Sequence, residues 1–384
     1  MNIIDYIKWR GDLSLKNDAF NEVDNLCVAQ MSYTKLDKYL DLDSNVSIKE
    51  ASDIFFDHTT ETKVKASKSF TGLAPMVLKE MANSSRFKDM RIHHFASIAD
   101  KEKTLQFCAF QVDLDSKTTY VVFRGTDDTL VGWKEDFNIS YEVTNAQEMA
   151  ADYVNKYLSS NRKYIFGGHS KGGNLAIYAA SKAPKKIKKK ILTIYSNDGP
   201  GLNDDFIILD DFKDILDKCI KIVPEYDFIG MIFDNDIIDH IVVKSDQFAI
   251  LQHDAMSWLV EGNHFIKAKS LSPESKVIKK AFNEFMKEAS PDQRKEFINE
   301  LFNSFEALKV KNISELNKVT FSAFVNAAKK LISMDESARE TGNKLIKVFT
   351  KLMQYEVDSI SQSIQEAATD ALSSAGEKIG NIFK

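Results

Sequence analysis

Tyr164-Ile-Phe-Gly-Gly-His-Ser-Lys-Gly-Gly-Asn-Leu-Ala-Ile-Tyr-Ala-Ala180 decides how the rest of this chain is read. A short β-branched and aromatic run, Tyr164 to Phe166, passes through glycines into a helical pattern from Asn174 to Lys182. One serine, Ser170, stands between Gly168 and Gly172. A phosphate-binding loop would need Lys-Ser or Lys-Thr directly after its last glycine, but Asn174 and Leu175 follow Gly173. The remaining reading is a serine held out for chemistry on a tight strand-to-helix turn. Small neighbours two residues away on each side let the backbones of strand and helix pass closely.

Gly168-His169-Ser170-Lys171-Gly172 fits G-x-S-x-G, the nucleophile elbow of α/β-hydrolases, in the strand–turn–helix setting that motif requires. The surroundings agree. Three helical segments precede Ser84, and "RIHHFASIAD", "LQFCAFQVDL" and "TTYVVFRGT" then read as strands. "ADKEK" reads as the turn between the first two. A helix follows at "AQEMAADYVNKYLSS", then the elbow, then strands in "KILTIYSND" and "KCIKIVPEYD". Strands alternating with helices predict an α/β-hydrolase fold with a mainly parallel sheet, an N-terminal helical segment and an appended C-terminal helical region. The boundary falls near Lys269, giving a hydrolase domain over 1–268 and a helical region over 270–384. There Ser272-Pro273 and Ser290-Pro291 read as helix starts, and Leu345, Phe349, Leu352, Val357 and Ile360 open a long apolar stripe.

The 384 residues are 43% hydrophobic and 28% charged, enough for a large soluble core. A net charge of −5 gives no case for nucleic acid. Three cysteines do not make a disulfide framework and suggest a reducing compartment. With no signal peptide and no span of some 18 apolar residues, a cytoplasmic location is expected, signal-free export being compatible with the same composition.

A serine nucleophile needs a base, and the base an orienting carboxylate, in the chain order Ser, Asp or Glu, His. Asp227, ending "CIKIVPEYD", is the first choice of acid because functional residues of α/β sheets gather at C-terminal strand ends. Asp198 is second, since Gly199 and Gly201 suggest a turn role for it. Among the seven histidines, His253 is the preferred base and His264 the alternative; His240 reads as a surface residue and His169 as packing within the elbow. No metal or cofactor is called for.

"VVFRGTDDTLVGWKEDF" followed by "FGGHSKGGNLA" resembles the class-three, fungal-type triacylglycerol lipases, through Phe123-Arg124-Gly125-Thr126, Trp133, Asp136, Gly168 to Gly172, Asp227, and His253 with Trp258. "IIDYIKWRGDLSL", "FNEVDNL", "SNDGPG" and "QHDAMSW" are similar to an uncharacterised lipase-like family common in Firmicutes, over Met1 to about Phe265. The resemblance implies an oxyanion hole from the backbone N–H groups of Thr126 and Lys171, and hydrolysis of carboxylic esters, lipid or phospholipid acyl esters above all. The segment after Thr126 is short and acidic where the lipases carry an apolar lid, which argues against interfacial activation. Six lysines between Lys182 and Lys190 could meet anionic headgroups, although a solvated helix end is the plainer reading. "FIGMIF", Phe228 to Phe233, fits either an acyl pocket or a buried helix. The apolar stripe calls for a protein partner, a second copy, or packing back on the hydrolase. The rival to an enzyme is a non-catalytic hydrolase-fold module that presents this helical tail.

Overall fold

The structure, a computed structural model, describes residues 1–350 apart from 68, 101–104, 127–138, 140–142, 203, 228, 232–233, 235, 248, 308–319, 335 and 337. Trp133, Asp136, Phe228, Ile232, Phe233, most of the "ADKEK" turn and the apolar stripe from Leu352 onward lie outside the described residues.

The centre is an eight-stranded sheet in sequential order: β1 (Asn45–Ser47), β2 (Arg91–Asp100), β3 (Leu105–Asp113), β4 (Thr118–Phe123), β5 (Lys163–His169), β6 (Ile191–Asn197), β7 (Cys219–Pro224) and β8 (His240–Val243). The first four pair antiparallel, whereas β4 through β8 run parallel. This is the mainly parallel α/β architecture expected. Two apolar clusters cover its faces. The helices Asn145–Tyr157 and Lys171–Lys182 pack Ala150, Val154, Leu175 and Ala179 against Val121, Phe123, Phe166 and Ile194 on one side. The N-terminal helices bury Tyr6, Leu26, Val77 and Met81 against Ile92, Phe110, Val122 and Ile165 on the other.

The N-terminal segment is fastened by polar groups as well. The Arg86 guanidinium donates from Nε to Asp24 Oδ1 at 2.8 Å and from Nη2 to Asp24 Oδ2, with both side chains fully buried. Its remaining protons go to the carbonyls of Leu13, Asp18 and Ala19, so one side chain closes the whole loop that leads into helix Glu22–Met31. Three residues along that helix, Asn25 donates to Asn197 Oδ1 at 2.8 Å, and Asn197 Nδ2 donates to the Gly168 carbonyl at 3.0 Å. The helix is thereby hydrogen-bonded to the strand ends that carry the site.

The C-terminal helices Pro273–Glu288, Pro291–Ala307 and Thr320–Ile332 share a cluster of their own, built on Phe282, Phe285, Phe297, Leu301, Phe324 and Phe349. Ser272 caps the first, accepting from the Ser275 N–H, and Ser290 and Gln293 form a capping box at the second. Contact with the sheet domain runs through Ile229 and Phe70 in this cluster. It also includes the Ser272 N–H on the Glu225 carbonyl at 2.8 Å and the Asp227 N–H on Ser275 Oγ at 2.8 Å. Among the described residues no helix is long and apolar enough to cross a membrane.

Breaking a buried ion pair from one side leaves an uncompensated charge in a dry interior, at a cost of about 3–5 kcal/mol. Arg86→Met is therefore expected to lower stability by about that amount in urea denaturation, more than Asp24→Asn, which keeps a polar acceptor for the guanidinium.

Candidate active site

Four functional candidates leave the sheet at its C-terminal edge, each just beyond a parallel strand: Thr126 after β4, Ser170 after β5, Asp198 after β6 and Asp227 after β7. The elbow is strained as its sequence implied. Ser170 has φ 57° and ψ −133°, a conformation that L-residues avoid. A Cβ on Gly172 would fall 2.1 Å from the Phe123 carbonyl oxygen, and one on Gly168 would fall 2.4 Å from the Gly172 carbonyl carbon. Only glycine permits that approach of helix to strand. Ser170 is fixed further by its N–H on the Asn197 carbonyl at 2.9 Å.

His253 ends the 3₁₀ turn Ala249–His253 and meets the serine. Its Nε2 lies 3.1 Å from Ser170 Oγ and its Nδ1 lies 2.6 Å from Asp198 Oδ2. All three residues are buried. The carboxylate accepts from Nδ1–H, which leaves Nε2 unprotonated and facing the serine hydroxyl. The loop that delivers His253 is held on both flanks: Trp258 Nε1 donates to the Gln252 carbonyl at 2.8 Å, and the Tyr226 N–H donates to Gln252 Oε1 at 2.8 Å.

The acid in contact with His253 is Asp198 and not Asp227, a correction to the sequence reading. Asp198 follows β6, the strand hydrogen-bonded to β5, whereas Asp227 lies three residues beyond β7, one strand further out. Asp198 takes φ 52°, the left-handed region, with its N–H on the Ile222 carbonyl at 2.8 Å. The glycines that seemed to argue for a mere turn mark the site instead. A Cβ on Gly199 would stand 2.5 Å from Ser196 Oγ and 3.0 Å from the Ser170 carbonyl oxygen, so the chain after Asp198 runs directly under the elbow.

His169 braces the His253 loop. Its Nε2 lies 2.9 Å from the His253 carbonyl, an oxygen that can only accept, so Nε2 carries the proton. Burial, and then the neighbouring His253 charge, hold His169 well below the ordinary histidine range, so the ring is neutral and Nδ1 is an acceptor facing the Tyr33 hydroxyl at 3.0 Å. Neither residue was singled out for this role in the sequence, because a turn residue 136 positions from its partner leaves no local signal. Tyr33, Phe70, Thr126 and His169 line, with Ser170 and His253, a cavity of about 20 Å³, room for about one water-sized group. Lys171 is fully buried and opens the elbow helix Lys171–Lys182, its Nζ donating to the Gln106 carbonyl at 3.2 Å.

The other histidines lie elsewhere. His264 is exposed on a two-residue strand. His240 is half-buried at the start of β8, not a free surface residue, with Nε2 2.9 Å from Asp234 Oδ2. Asp234, Asp236 and His240 have the donor types of a metal site, but Lys221 and Lys279 reach Asp234 at 2.8 Å and 2.7 Å and already neutralise it. Burial alone would raise the Asp234 carboxyl; those lysines and His240 hold it well below the usual range instead. In the lysine cluster, Lys188 is buried against Asp211 and Asp214, while Lys185, Lys186, Lys189 and Lys190 are exposed. Ile229 and Met231, the described apolar residues of "FIGMIF", pack into the C-terminal and β7 clusters and do not reach the cavity at Ser170.

Comparison with solved structures returns lipases at low similarity. M37 lipase is 16% identical over 68% of this chain and 78% of its own, with a TM-score of 0.35. The native Rhizomucor miehei lipase propeptide complex is 17% identical over 37% of this chain and 51% of its own, with a TM-score of 0.28, so the match spans about half of that protein. A fungal lipase–inhibitor complex is 18% identical over 39% of this chain and 66% of its own, with a TM-score of 0.26. No curated protein matches. The Mbeg1-like family model matches residues 81–303, which takes in the elbow, both aspartates, His253, the first C-terminal helix and most of the second. The chain belongs to the Mbeg1-like family.

Proposed function

We propose that this protein is a serine hydrolase of carboxylic esters, lipid or phospholipid acyl esters foremost, acting through Ser170, His253 and Asp198. The observation that carries the reading is the unbroken line from Asp198 Oδ2 through the His253 ring to Ser170 Oγ, at 2.6 and 3.1 Å, on a strained elbow. With Nδ1–H committed to Asp198, Nε2 takes the serine proton as Oγ attacks the acyl carbon. Asp198 steadies the imidazolium that forms. The tetrahedral oxyanion is received by the backbone N–H groups of Thr126 and Lys171, the second lying at the positive end of the elbow helix. His253 then protonates the departing alcohol, and the same groups run in reverse with water to release the acid.

The ester class follows from the Phe123-Arg124-Gly125-Thr126 strand end and the G-H-S-x-G elbow, which resemble the class-three lipases. Thr126 sits in the cavity that Ser170 opens on, as its part in the oxyanion hole requires.

A fluorophosphonate probe should label the wild-type protein and not Ser170→Ala; folded wild-type protein that stays unlabelled would favour a non-catalytic binding module. Asp198→Asn should lower kcat on a short-chain p-nitrophenyl ester by about 10⁴-fold, since an amide presented to Nδ1 favours the wrong tautomer. If Asp227→Asn, and not Asp198→Asn, produced a loss of that size, the assignment of the acid would be reversed.

A further inference from the structure

Among the described residues, one ionisable group beside the proposed triad is left unused. Asp227 is fully buried, its Oδ1 accepts the Gly230 N–H at 2.7 Å, and its own N–H donates to Ser275 Oγ at 2.8 Å. Its Oδ2 is sealed from water, and among the described residues no hydrogen-bond donor is aimed at it. Beside it stands the Asp198 carboxylate. The same Gly230 N–H lies 3.2 Å from Asp198 Oδ1, and a Cβ on Gly230 would fall 2.5 Å from Asp198 Oδ1 and 2.5 Å from Asp227 Oδ2. Two carboxyl groups thus converge on one amide, within hydrogen-bonding reach of each other if one carries a proton.

Among the described residues, the surrounding charges do not supply a second counter-ion by contact. Lys221, on β7, donates to Asp234 Oδ1 and to the Gly230 carbonyl, both at 2.8 Å, and reaches the pair only through its field. Lys279 and His240 face Asp234. The helix Pro273–Glu288 presents the neutral Ser275, and His253 meets Asp198 at Oδ2. Two anions in so dry a site would repel strongly, as like charges sharing a buried site do.

We propose, on the reading that Ser170, His253 and Asp198 form the triad, that Asp227 is a positioning residue holding a proton on Oδ2 and donating it to Asp198 Oδ1. Every proton in the line then has a place: Asp227 Oδ2–H on Asp198 Oδ1, the Gly230 N–H on Asp227 Oδ1, and His253 Nδ1–H on Asp198 Oδ2. The pair carries a single negative charge, aimed at the imidazole. Burial raises both carboxyls, Asp198 to about 7, and the Asp198 charge pushes Asp227 further up. The two titrate as a unit: the shared proton is kept through neutral pH, and a second is taken up as pH falls through about 7, which neutralises Asp198 and weakens the hold on His253. No bond to carbon is made or broken, and the proton comes from solvent.

Two measurements on the full chain test this. Infrared difference spectra of wild type against Asp227→Asn should show the carbonyl stretch of a protonated carboxylic acid at neutral pH that the variant lacks; absence of that band overturns the proposal. This readout does not depend on turnover, so it stands even where the probe and esterase assays refute an enzyme. For kcat/KM at neutral pH, Asp227→Ala should lose about 10- to 100-fold, the effect of one hydrogen bond to a charged group. Asp227→Asn, whose amide N–H replaces the acid O–H, should recover most of that activity and keep the acidic limb of the pH profile. An asparagine variant that folds with wild-type stability but falls as far as the alanine variant would also overturn it.

Discussion

Ser170 occupies a backbone conformation that no L-residue prefers, and the packing around it makes that conformation the one available. The strand β5 and the helix Lys171–Lys182 must reverse direction within two residues while both stay against Phe123 of β4. Without Cβ atoms at Gly168 and Gly172 the backbones close to contact, and the serine at the apex is turned outward with φ 57°. Strain of this kind, of order 1–3 kcal/mol, persists because buried strands on both sides over-determine it. From the apex the other candidate positions follow: β4 delivers Thr126, β6 delivers Asp198, and the Asn25–Asn197–Gly168 hydrogen bonds tie the N-terminal helix to the same edge.

The proposed base is the most conditional element. His253 comes from a short 3₁₀ turn rather than from a strand, so its position depends on side chains: Gln252 held by Tyr226 and Trp258, and the His253 carbonyl held by His169. His169 is one residue from the serine and His253 is 83 residues beyond it, so this hydrogen bond couples the elbow to the histidine loop without passing through the reacting atoms. The centroids of the two imidazoles are 4.7 Å apart. A neutral His169 is compatible with the charge that the proposed proton transfer would form on His253; a second imidazolium there would oppose it.

The C-terminal helices enter the same account. They have a phenylalanine-rich cluster of their own, yet the first turn of Pro273–Glu288 hydrogen-bonds Glu225 and Asp227, the segment that carries the second carboxyl. The family match likewise runs through residue 303, past the boundary near Lys269 that the change of texture suggests. An apolar pattern can thus mark where a new cluster begins without marking where the chemistry of the preceding region stops.

Local chemistry made several features legible in the residues alone. The elbow was readable because a strained turn admits so few residue types, and the alternation of strands and helices because buried parallel strands and amphipathic helices differ in period. His253, which lies 3.1 Å from Ser170 Oγ, was legible as a candidate from its place late in the chain order. The short edge strands β1 and β8 were not, since three or four residues carry no period of their own. The choice between Asp198 and Asp227 was also beyond reach. Both end strands, both lie between the serine and the histidine, and Asp198 is flanked by glycines that in isolation describe a turn. Which carboxylate touches the imidazole depends on β6, not β7, being the neighbour of β5, and on a left-handed backbone at Asp198. The sequence by itself determined which side chains are candidates for the proposed chemistry; the order of strands in the sheet decided which of them meet, because a few ångströms between neighbouring strands separate a hydrogen bond from none.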